Sequence, residues 1–354
     1  LKDNELIDVV TTFKVTDNNG LTDFGTVTFQ VLGKGDGVGD DADTKAPTLK
    51  IGSNREGVTN DDTTFDFKFS EDVEGFTSNN IKVKGGSKGK FSGSGGVYKL
   101  VVTPEENSEG NIVLKIKPGA FTDLAGNENT KDYTYKQAFD TRAPTVEIVS
   151  NSERVTNDDI TFEFNFSEDV KGFTSKDIQV SGGAKRKLSG SGDTYTLVVT
   201  PDENSEGNIV LKTKPGMVTD LAGNKNTKAN NVKQAFDTKA PILEITGFND
   251  SIINDDITFQ FNFSEPVEGF TTEDIEVSGG TKGQFSGSGD TYQLVVSPDE
   301  NARGNIILKI KPDVVTDIVG NKNTRGVIVK QTFDTKGNNS IPDTEDDECP
   351  EIIF

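Results

Sequence analysis

The chain has 354 residues, of which 32% are hydrophobic, and carries a formal net charge of −21. Such a charge disfavours binding to nucleic acid or to an anionic membrane surface, and no stretch has the length and apolar character needed for membrane insertion. Histidine and tryptophan are absent, and Cys349 is the single cysteine. This composition excludes a Ser-His-Asp triad, a His-ligated zinc site and an internal disulfide.

Residues 1–33 are predicted to form a β-hairpin that ends an earlier domain. Phe13–Val15 and Thr26–Val31 alternate between apolar and polar side chains, as half-buried strands do. Between them, Asp17–Gly20 reads Asp-Asn-Asn-Gly, which is typical of a hairpin turn. The pattern resembles the last hairpin of a cadherin-like or VCBS-type bacterial surface repeat. The Gly- and Asp-rich residues 34–43 are predicted to be a flexible linker.

A short motif, Asp-Thr-Lys/Arg-Ala-Pro, organises the rest of the sequence. Its aspartates stand 97 residues apart, at Asp43, Asp140 and Asp237, and its first three residues return at Asp334. Proline fixes φ and drives the preceding residue toward an extended conformation, so the motif is predicted to be a joint of fixed length. The joints define three modules, 44–140, 141–237 and 238–334.

Each module is predicted to contain seven strands. In the first module they are Thr48–Ile51, Thr64–Phe69, Ile81–Lys84, Gly89–Ser92, Tyr98–Thr103, Asn111–Lys117 and Tyr133–Phe139. Phe65, Phe67 and Phe69 alternate with charged residues, which places three rings on one face of the second strand. The same pattern returns at Phe162, Phe164 and Phe166 and at Phe259, Phe261 and Phe263. The sequence therefore predicts an all-β chain of tandem, seven-stranded Ig-like β-sandwiches arranged end to end.

Residues 335–354 are predicted to be an acidic linker followed by the start of a further domain. Gly337–Glu348 is polar and acidic without alternation, as disordered spacers are. Cys349–Phe354 then becomes apolar, and these six residues resemble the start of the C-terminal sorting domain of Bacteroidetes gliding-motility and type IX-secreted surface proteins.

Several motifs in fixed order resemble the tandem bacterial Ig-like repeats of large adhesins and biofilm-associated surface proteins. They are the joint motif, Thr-Phe-x-Phe-x-Phe-Ser-Glu and Thr-Asp-x-Ala-Gly-Asn-x-Asn, and they occur three times within residues 43–334, with Val319 replacing the alanine in the third copy. The resemblance implies a secreted protein of the bacterial cell surface that serves cell adhesion, biofilm formation or gliding motility. It also implies calcium at the joints between modules, because several relatives bind calcium there.

Strand parity predicts which loops meet at a joint. Consecutive strands of a sandwich run in opposite directions, so the loops after the second and sixth strands return to the end where the module begins. This brings three groups of polar side chains, which we call the first, second and third sets, to the three joints. The first set is Asp43, Glu71, Asp72, Asp123 and Asn127; the second is Asp140, Glu168, Asp169, Asp220 and Asn224; the third is Asp237, Glu265, Asp317 and Asn321.

Clustered carboxylates repel one another unless a cation lies among them or water solvates them. Calcium takes six to eight oxygen ligands from carboxylates, amides, carbonyls and water, whereas Mg²⁺ keeps more of its own water and demands a stricter octahedron. Each set is therefore predicted to bind calcium. The alternative is an ordinary turn in which Asp and Asn bond to their own backbone. The cluster Asn60–Asp62, repeated at Asn157–Asp159 and Asn254–Asp256, lies at the opposite end of the module. It is interpreted as a solvated turn, and the alternative is that it lends ligands to the next joint.

The third set is predicted to bind calcium more weakly than the second, or to bind none. Pro266 replaces the acid that stands at Asp72 and Asp169 in the other modules, and ligand charge is one of the terms that sets calcium affinity.

The predicted function is a structural extender whose partners are neighbouring domains of the same chain. Surface glycans or host and substrate proteins would be bound through other domains. The alternative is that the modules themselves bind glycans or proteins, against which the absence of tryptophan and the core-like phenylalanine pattern count. An enzyme is not expected, since a catalytic site copied three times along a stalk has no evident use.

Overall fold

The computed structural model describes residues 6–32 and 43–337. The predicted linker before Asp43 and the predicted tail after Gly337 lie outside the described residues. The described chain falls into two compact units. One contains the residues up to Ala143 together with Leu221–Asn224, and the other contains Pro144–Asp220 and the residues from Lys225 onward.

The N-terminal residues form the predicted hairpin. Strands β1 (Leu6–Thr16) and β2 (Thr22–Leu32) pair antiparallel over their whole length. The Asp17 carboxylate accepts hydrogen bonds from the backbone N–H groups of Asn19 and Leu21, both at 2.9 Å, and so fixes the turn. The strands are longer than predicted because the ladder continues through Leu6–Thr12 and Thr22–Gly25, where apolar and polar residues do not alternate strictly. The likeness to a cadherin-like or VCBS-type hairpin stays a prediction.

The first module is a β-sandwich. Its strands are β3 (Leu49–Ser53), β4 (Thr63–Phe69), β5 (Val73–Glu74), β6 (Ile81–Lys84), β7 (Gly86–Ser94), β8 (Val97–Pro104), β9 (Glu109–Ile116), β10 (Thr122–Asp123) and β11 (Tyr133–Asp140). One sheet has the order β3-β4-β8-β7 and the other has the order β11-β9-β6. The two-residue strands β5 and β10 pair with each other. All seven predicted strands are present, and the prediction of an Ig-like sandwich is confirmed.

The second and third modules repeat this topology. The second has β12 (Val146–Ser150), β13 (Ile160–Phe166), β14 (Ile178–Ser181), β15 (Gly183–Ser191), β16 (Thr194–Pro201), β17 (Glu206–Thr213) and β18 (Asn231–Asp237). The third has β19 (Leu243–Thr246), β20 (Ile257–Phe263), β21 (Ile275–Ser278), β22 (Gly280–Ser288), β23 (Thr291–Pro298), β24 (Arg303–Ile310) and β25 (Val327–Asp334). Apart from the two-residue strands, each module has seven strands, which we call its main strands and count in chain order. A single-turn 3₁₀ helix precedes the third main strand of each module, at Ser78–Asn80, Ser175–Asp177 and Thr272–Asp274.

The core of each module lies between its two sheets. The alternating phenylalanines of the second main strand are its centre, because Phe65, Phe67, Phe162 and Phe164 are wholly buried. Burying such a side chain contributes roughly 1.5–3 kcal/mol to stability. With no disulfide within the described residues, this packing is the main source of each module's stability.

The fourth main strand differs most from its prediction. The sequence predicts Gly89–Ser92, whereas β7 runs from Gly86 to Ser94. Glycine has a low strand propensity and hides the pattern. Gly86 nevertheless pairs with Pro104, and the register shifts between Lys88 and Phe91. Within the described residues, we find no helix long and apolar enough to cross a membrane.

Candidate metal centre

Two loops of the first module are tied together at the end where the module begins. Strand β5 follows the second main strand, strand β10 follows the sixth, and Asp123 of β10 pairs with Val73 of β5. This pairing brings Glu71, two residues before β5, close to Asp123. The convergence that strand parity predicts is therefore produced by a short antiparallel ladder.

Three carboxylates of the first set converge. One oxygen from each of Asp43, Glu71 and Asp123 lies within 4.8 Å of the other two. Asp43 comes from the joint, Glu71 from the loop after β4 and Asp123 from β10. The Asp43 carboxylate also accepts a hydrogen bond from the backbone N–H of Lys45 at 3.0 Å, which orients it.

Asp123 is the buried member, with 2% of its surface exposed. Burial acts to raise its pKa, but hydrogen bonds from the side chain and backbone of Asn127 and from the backbone N–H groups of Ala125 and Gly126 outweigh burial. The pKa of Asp123 therefore lies below its usual value, and the group is a carboxylate at neutral pH. The loop can wrap around it because Gly126 adopts a φ of +90°.

Asn127 links the joint to the buried carboxylate. Its Nδ2 donates to the backbone carbonyl of Asp43 at 2.7 Å and to Oδ2 of Asp123 at 2.8 Å. Two residues later, the buried Asn129 accepts hydrogen bonds from the backbone N–H groups of Ala120 and Phe121 and fixes the loop from inside. The two asparagines of the motif thus have different roles, one toward the joint and one toward the core.

The third set has the same arrangement. One carboxylate oxygen each from Asp237, Glu265 and Asp317 lies within 4.8 Å of the other two. Asp317 is 2% exposed and accepts from the backbone N–H and the Nδ2 of Asn321 at 2.9 and 2.7 Å. Asn321 Nδ2 also donates to the carbonyl of Asp237 at 2.9 Å. The loop pairing here is a bridge between Glu268 and Thr316.

Glu265 shows the electrostatic cost of this convergence. Partial burial raises its pKa, and the neighbouring carboxylates of Asp237 and Asp317 raise it further, while Lys239 acts in the opposite direction. A proton is therefore held more tightly by Glu265 than by an isolated glutamate. A divalent cation would relieve the same repulsion.

The members of the second set lie in different compact units. Asp140 and Asn224 belong to the first unit, where Asn224 Nδ2 donates to the carbonyl of Asp140 at 2.8 Å. Glu168, Asp169 and Asp220 belong to the second unit, where Glu168 is half-buried, Asp169 is exposed and Asp220 is 2% exposed.

The carboxylates of Asp72 and Asp169 lie against the turn that follows the fourth main strand of their modules. Oδ1 of Asp72 lies against the turn after β7, 2.8 Å from the point that a Cβ on Gly95 would occupy. The corresponding distance from Asp169 to Gly192 is 3.0 Å. The cluster of carboxylates in the first module therefore forms without Asp72, although Asp72 is next to Glu71 in the sequence.

A further contact comes from the opposite end of each preceding module, through the asparagine of the cluster for which the sequence left a role at the next joint open. Asn60 donates from Nδ2 to Oδ1 of Asn224 at 3.0 Å, and Asn157 donates in the same way to Asn321 at 3.1 Å. The interpretation as a solvated turn thus holds for the exposed Asp61 and Asp62 but is wrong for Asn60, which is half-buried. The recurrence of this asparagine in each module is the only trace of the contact in the sequence.

Asp334 ends the third module with a different partner. Arg303 stands opposite it, where Glu109 and Glu206 stand opposite Asp140 and Asp237. The Arg303 guanidinium donates from Nε to Oδ2 of Asp334 at 2.7 Å, and this hydrogen bond lowers the pKa of Asp334. The fourth copy of the joint aspartate is neutralised by the chain itself.

The chemistry of the converging groups favours a hard cation. Each converging trio offers carboxylate oxygens and no nitrogen or sulfur, and one member of each trio is buried. Oxygen donors of this kind suit calcium better than zinc, for which nitrogen and sulfur ligands predominate.

The sequence matches the family model described as a bacterial Ig-like domain three times, over residues 43–138, 140–235 and 237–336. No curated protein matches the sequence. Among solved structures, titin domains I67–I69 in an E-to-A variant are 11% identical, cover 81% of this chain and 98% of that chain, and have a TM-score of 0.36. Invasin, a bacterial integrin-binding protein, is 12% identical, and the alignment covers 93% of this chain and 72% of the invasin chain with a TM-score of 0.34. InvD of Yersinia pseudotuberculosis is 12% identical, and the alignment covers 82% of this chain and 98% of the InvD chain with a TM-score of 0.35.

Proposed function

This chain belongs to the bacterial Ig-like domain family, and on that premise we propose that its three modules form an extender of a secreted bacterial surface protein, stiffened by calcium at the joints. The observation that carries the proposal is the convergence of three carboxylates from three separate elements at Asp43 and again at Asp237. Three such groups within 4.8 Å are costly without a counter-ion.

The proposed ligands are the converging carboxylates, with Asn127 and Asn321 holding the joint against the buried aspartate. A cation bound there would connect the joint to two loops of the following module. Removing the charge repulsion and adding these bonds would restrict bending at the joint. Stiff joints would keep an adhesive domain at a distance from the cell surface, which is the use of an extender.

Thermal melting of the full chain tests the proposal. Extracellular calcium modules often bind at about 10⁻⁴–10⁻³ M, and a ligand present at one hundred times its Kd stabilises the folded state by about 2.7 kcal/mol. Melts in 10 mM calcium should therefore lie several degrees above melts in EDTA, and 10 mM magnesium should give a smaller shift. Superimposable melts in calcium and EDTA would refute calcium binding.

Small-angle scattering tests the extender separately. Strands of six or seven residues rise about 3.3 Å per residue, so three modules joined end to end should span on the order of 100 Å once their loops and joints are included. A compact particle in both calcium and EDTA would contradict the stalk, whatever the metal affinity.

A further inference from the structure

Four exposed lysines lie on the outer face of the three-stranded sheet of the first module. We call Lys82, Lys84, Lys115 and Lys136 the lysine face. Lys82 stands opposite Lys115 in the β6–β9 ladder, while Lys84 and Lys136 stand on either side of Val113. Neighbouring strands are about 4.8 Å apart, and side chains on one face repeat every ~6.6 Å along a strand. The four ammonium groups therefore share one small area of a chain whose net charge is −21.

Among the described residues, no carboxylate is paired with the lysine face. Within the part of the chain that the structure describes, none of the four lysines forms an ion pair, whereas Lys99, on the other sheet of the same module, is 3.4 Å from Asp66. The side chains line a shallow depression of about 580 Å³ with Val83, Val113 and Thr134. At physiological ionic strength the Debye length is about 8 Å, so a concentrated patch keeps its positive potential locally although the whole chain is acidic.

The other two modules show that the fold does not require these lysines. The equivalent positions are Gln179, Ser181, Lys212 and Lys233 in the second module and Glu276, Ser278, Lys309 and Lys330 in the third. In the third module Glu276 also lies 3.8 Å from Lys309 and 2.5 Å from Lys311. Lysines on an exposed edge strand discourage strand pairing between molecules. That role could account for Lys82 and Lys84 on β6 but not for Lys115, which lies on the central strand.

From this comparison we propose that the lysine face is a binding site for a linear acidic polysaccharide whose charges are carboxylates. Lysine presents a mobile point charge, which suits spaced carboxylates on a flexible polymer better than one fixed, bidentate group. The face is flat and open, so it can accommodate a chain lying across the strands. Tyr133 and Tyr135 of β11 pack toward the core and leave no aromatic platform on this face. Base stacking, which contributes much of single-strand nucleic-acid binding, therefore has no support here.

Alginate of defined length is the probe, with dextran as the neutral control and an oligo-dT of equal charge as the competing polyanion. Binding to the full chain is measured in 50 and 200 mM NaCl, with EDTA present so that calcium cannot bridge the polymer to the acidic sets. Three variants are compared with the wild type. Lys82→Gln/Lys84→Ser introduces the residues of the second module, and Lys50→Gln/Lys68→Gln removes the same charge from the other sheet. Gln179→Lys/Ser181→Lys builds the lysine face in the second module.

The wild type should bind alginate and not dextran, and affinity should fall as salt rises. Lys82→Gln/Lys84→Ser should weaken binding at least tenfold and lower the salt slope by about one to two, while Lys50→Gln/Lys68→Gln should stay within twofold of the wild type. Gln179→Lys/Ser181→Lys should strengthen binding.

The proposal fails if the wild type does not bind alginate in 50 mM NaCl, if both charge-removing variants lose affinity equally, or if oligo-dT binds more tightly than alginate. All these measurements are made without calcium, so a failure to bind alginate does not affect the proposal of calcium-bound joints. Likewise, a failure to bind calcium does not affect the proposal of polysaccharide binding by the lysine face.

Discussion

The first and third sets each contain three converging carboxylates and one asparagine at equivalent positions, but they lie in different surroundings. Asp43 is exposed, whereas Asp237 is the last residue of β18 and is half-buried. Asn321 of the third set also accepts a hydrogen bond from Asn157 of the preceding module. Each module thus positions its own carboxylates by pairing two loops, and the preceding module adds a second layer of contacts to the third set.

The largest expected effect is the loss of one calcium site when a buried aspartate is neutralised. Asp317→Asn and Asp123→Asn should each lower the calcium stoichiometry of the full chain by one, because the ligand is lost and an amide Nδ2 would face the Nδ2 of the loop asparagine. Calorimetric titration measures the stoichiometry. Glu300→Gln, which removes an exposed acid from the third module, is the control and should leave it unchanged. An unchanged stoichiometry in Asp317→Asn would contradict the proposed ligand set.

A smaller but sharper effect separates two adjacent acids of the first set. Glu71→Gln should weaken calcium binding at that joint at least tenfold, since Glu71 belongs to the converging trio. Asp72→Asn should change it less than about twofold, because the Asp72 carboxylate lies against Gly95. Titration of both variants measures the difference.

The reciprocal change checks the same point in the third module. Sequence reasoning predicts that Pro266 weakens the third set, so that Pro266→Asp would strengthen it. The geometry of the first set predicts no gain from that change. Equal losses in Glu71→Gln and Asp72→Asn, together with a gain in Pro266→Asp, would restore Asp72 and Asp169 as ligands.

The fold could be predicted from the sequence because its determinants are local and repeated. The alternation of Phe65, Phe67 and Phe69 identifies a strand and its buried face, and three copies of the pattern fix the module length. The fourth main strand is less predictable, since Gly86 and Gly89 have no side chain to reveal the alternation. Its length depends on pairing with β8, which the sequence does not display.

The site was predictable only to the level of which loops meet. Strand parity places Glu71 and Asp123 at the same end as Asp43, because it depends on strand direction alone. It does not determine where a side chain points within an irregular loop, so Asp72 could not be separated from Glu71. The contact of Asn60 with Asn224 joins residues 164 positions apart in sequence. Asn60 carries no pattern that distinguishes it from an ordinary turn asparagine, and the motif around Asn224 does not indicate this partner.

A modest effect is expected from the pH dependence of the third set without calcium. The folded state raises the pKa of Glu265 above the usual 4.5, so the folded chain binds this proton more tightly than the unfolded chain does. Stability should therefore fall as pH rises from below 4.5 through the raised pKa. Because Glu265 is largely solvent-screened, the loss should stay under about 1 kcal/mol.

The variant Glu265→Gln isolates this contribution. In EDTA at neutral pH it should melt slightly above the wild type, since one member of a repelling trio is removed, and in calcium it should melt below the wild type. Melting curves between pH 4 and 7 measure both differences. A variant that is less stable than the wild type in EDTA as well would show that repulsion at Glu265 is not the dominant interaction.

The smallest expected effect concerns a contact that the third set, unlike the first, receives from the module before it, that of Asn157 with Asn321. Asn157→Ala removes one neutral hydrogen bond, which contributes about 0.5–1.5 kcal/mol, and water can replace the donor because Asn157 is half-buried. Asn321 would still bond to Asp237 and Asp317, so the third set should persist with calcium affinity about two- to threefold weaker. Asn254→Ala is the matched control, because Asn254 holds the same position in the third module and is exposed. If Asn157→Ala and Asn254→Ala gave the same calcium affinity, the preceding module would not contribute to the third set, and the difference between the two sets would lie in the surroundings of Asp43 and Asp237 alone.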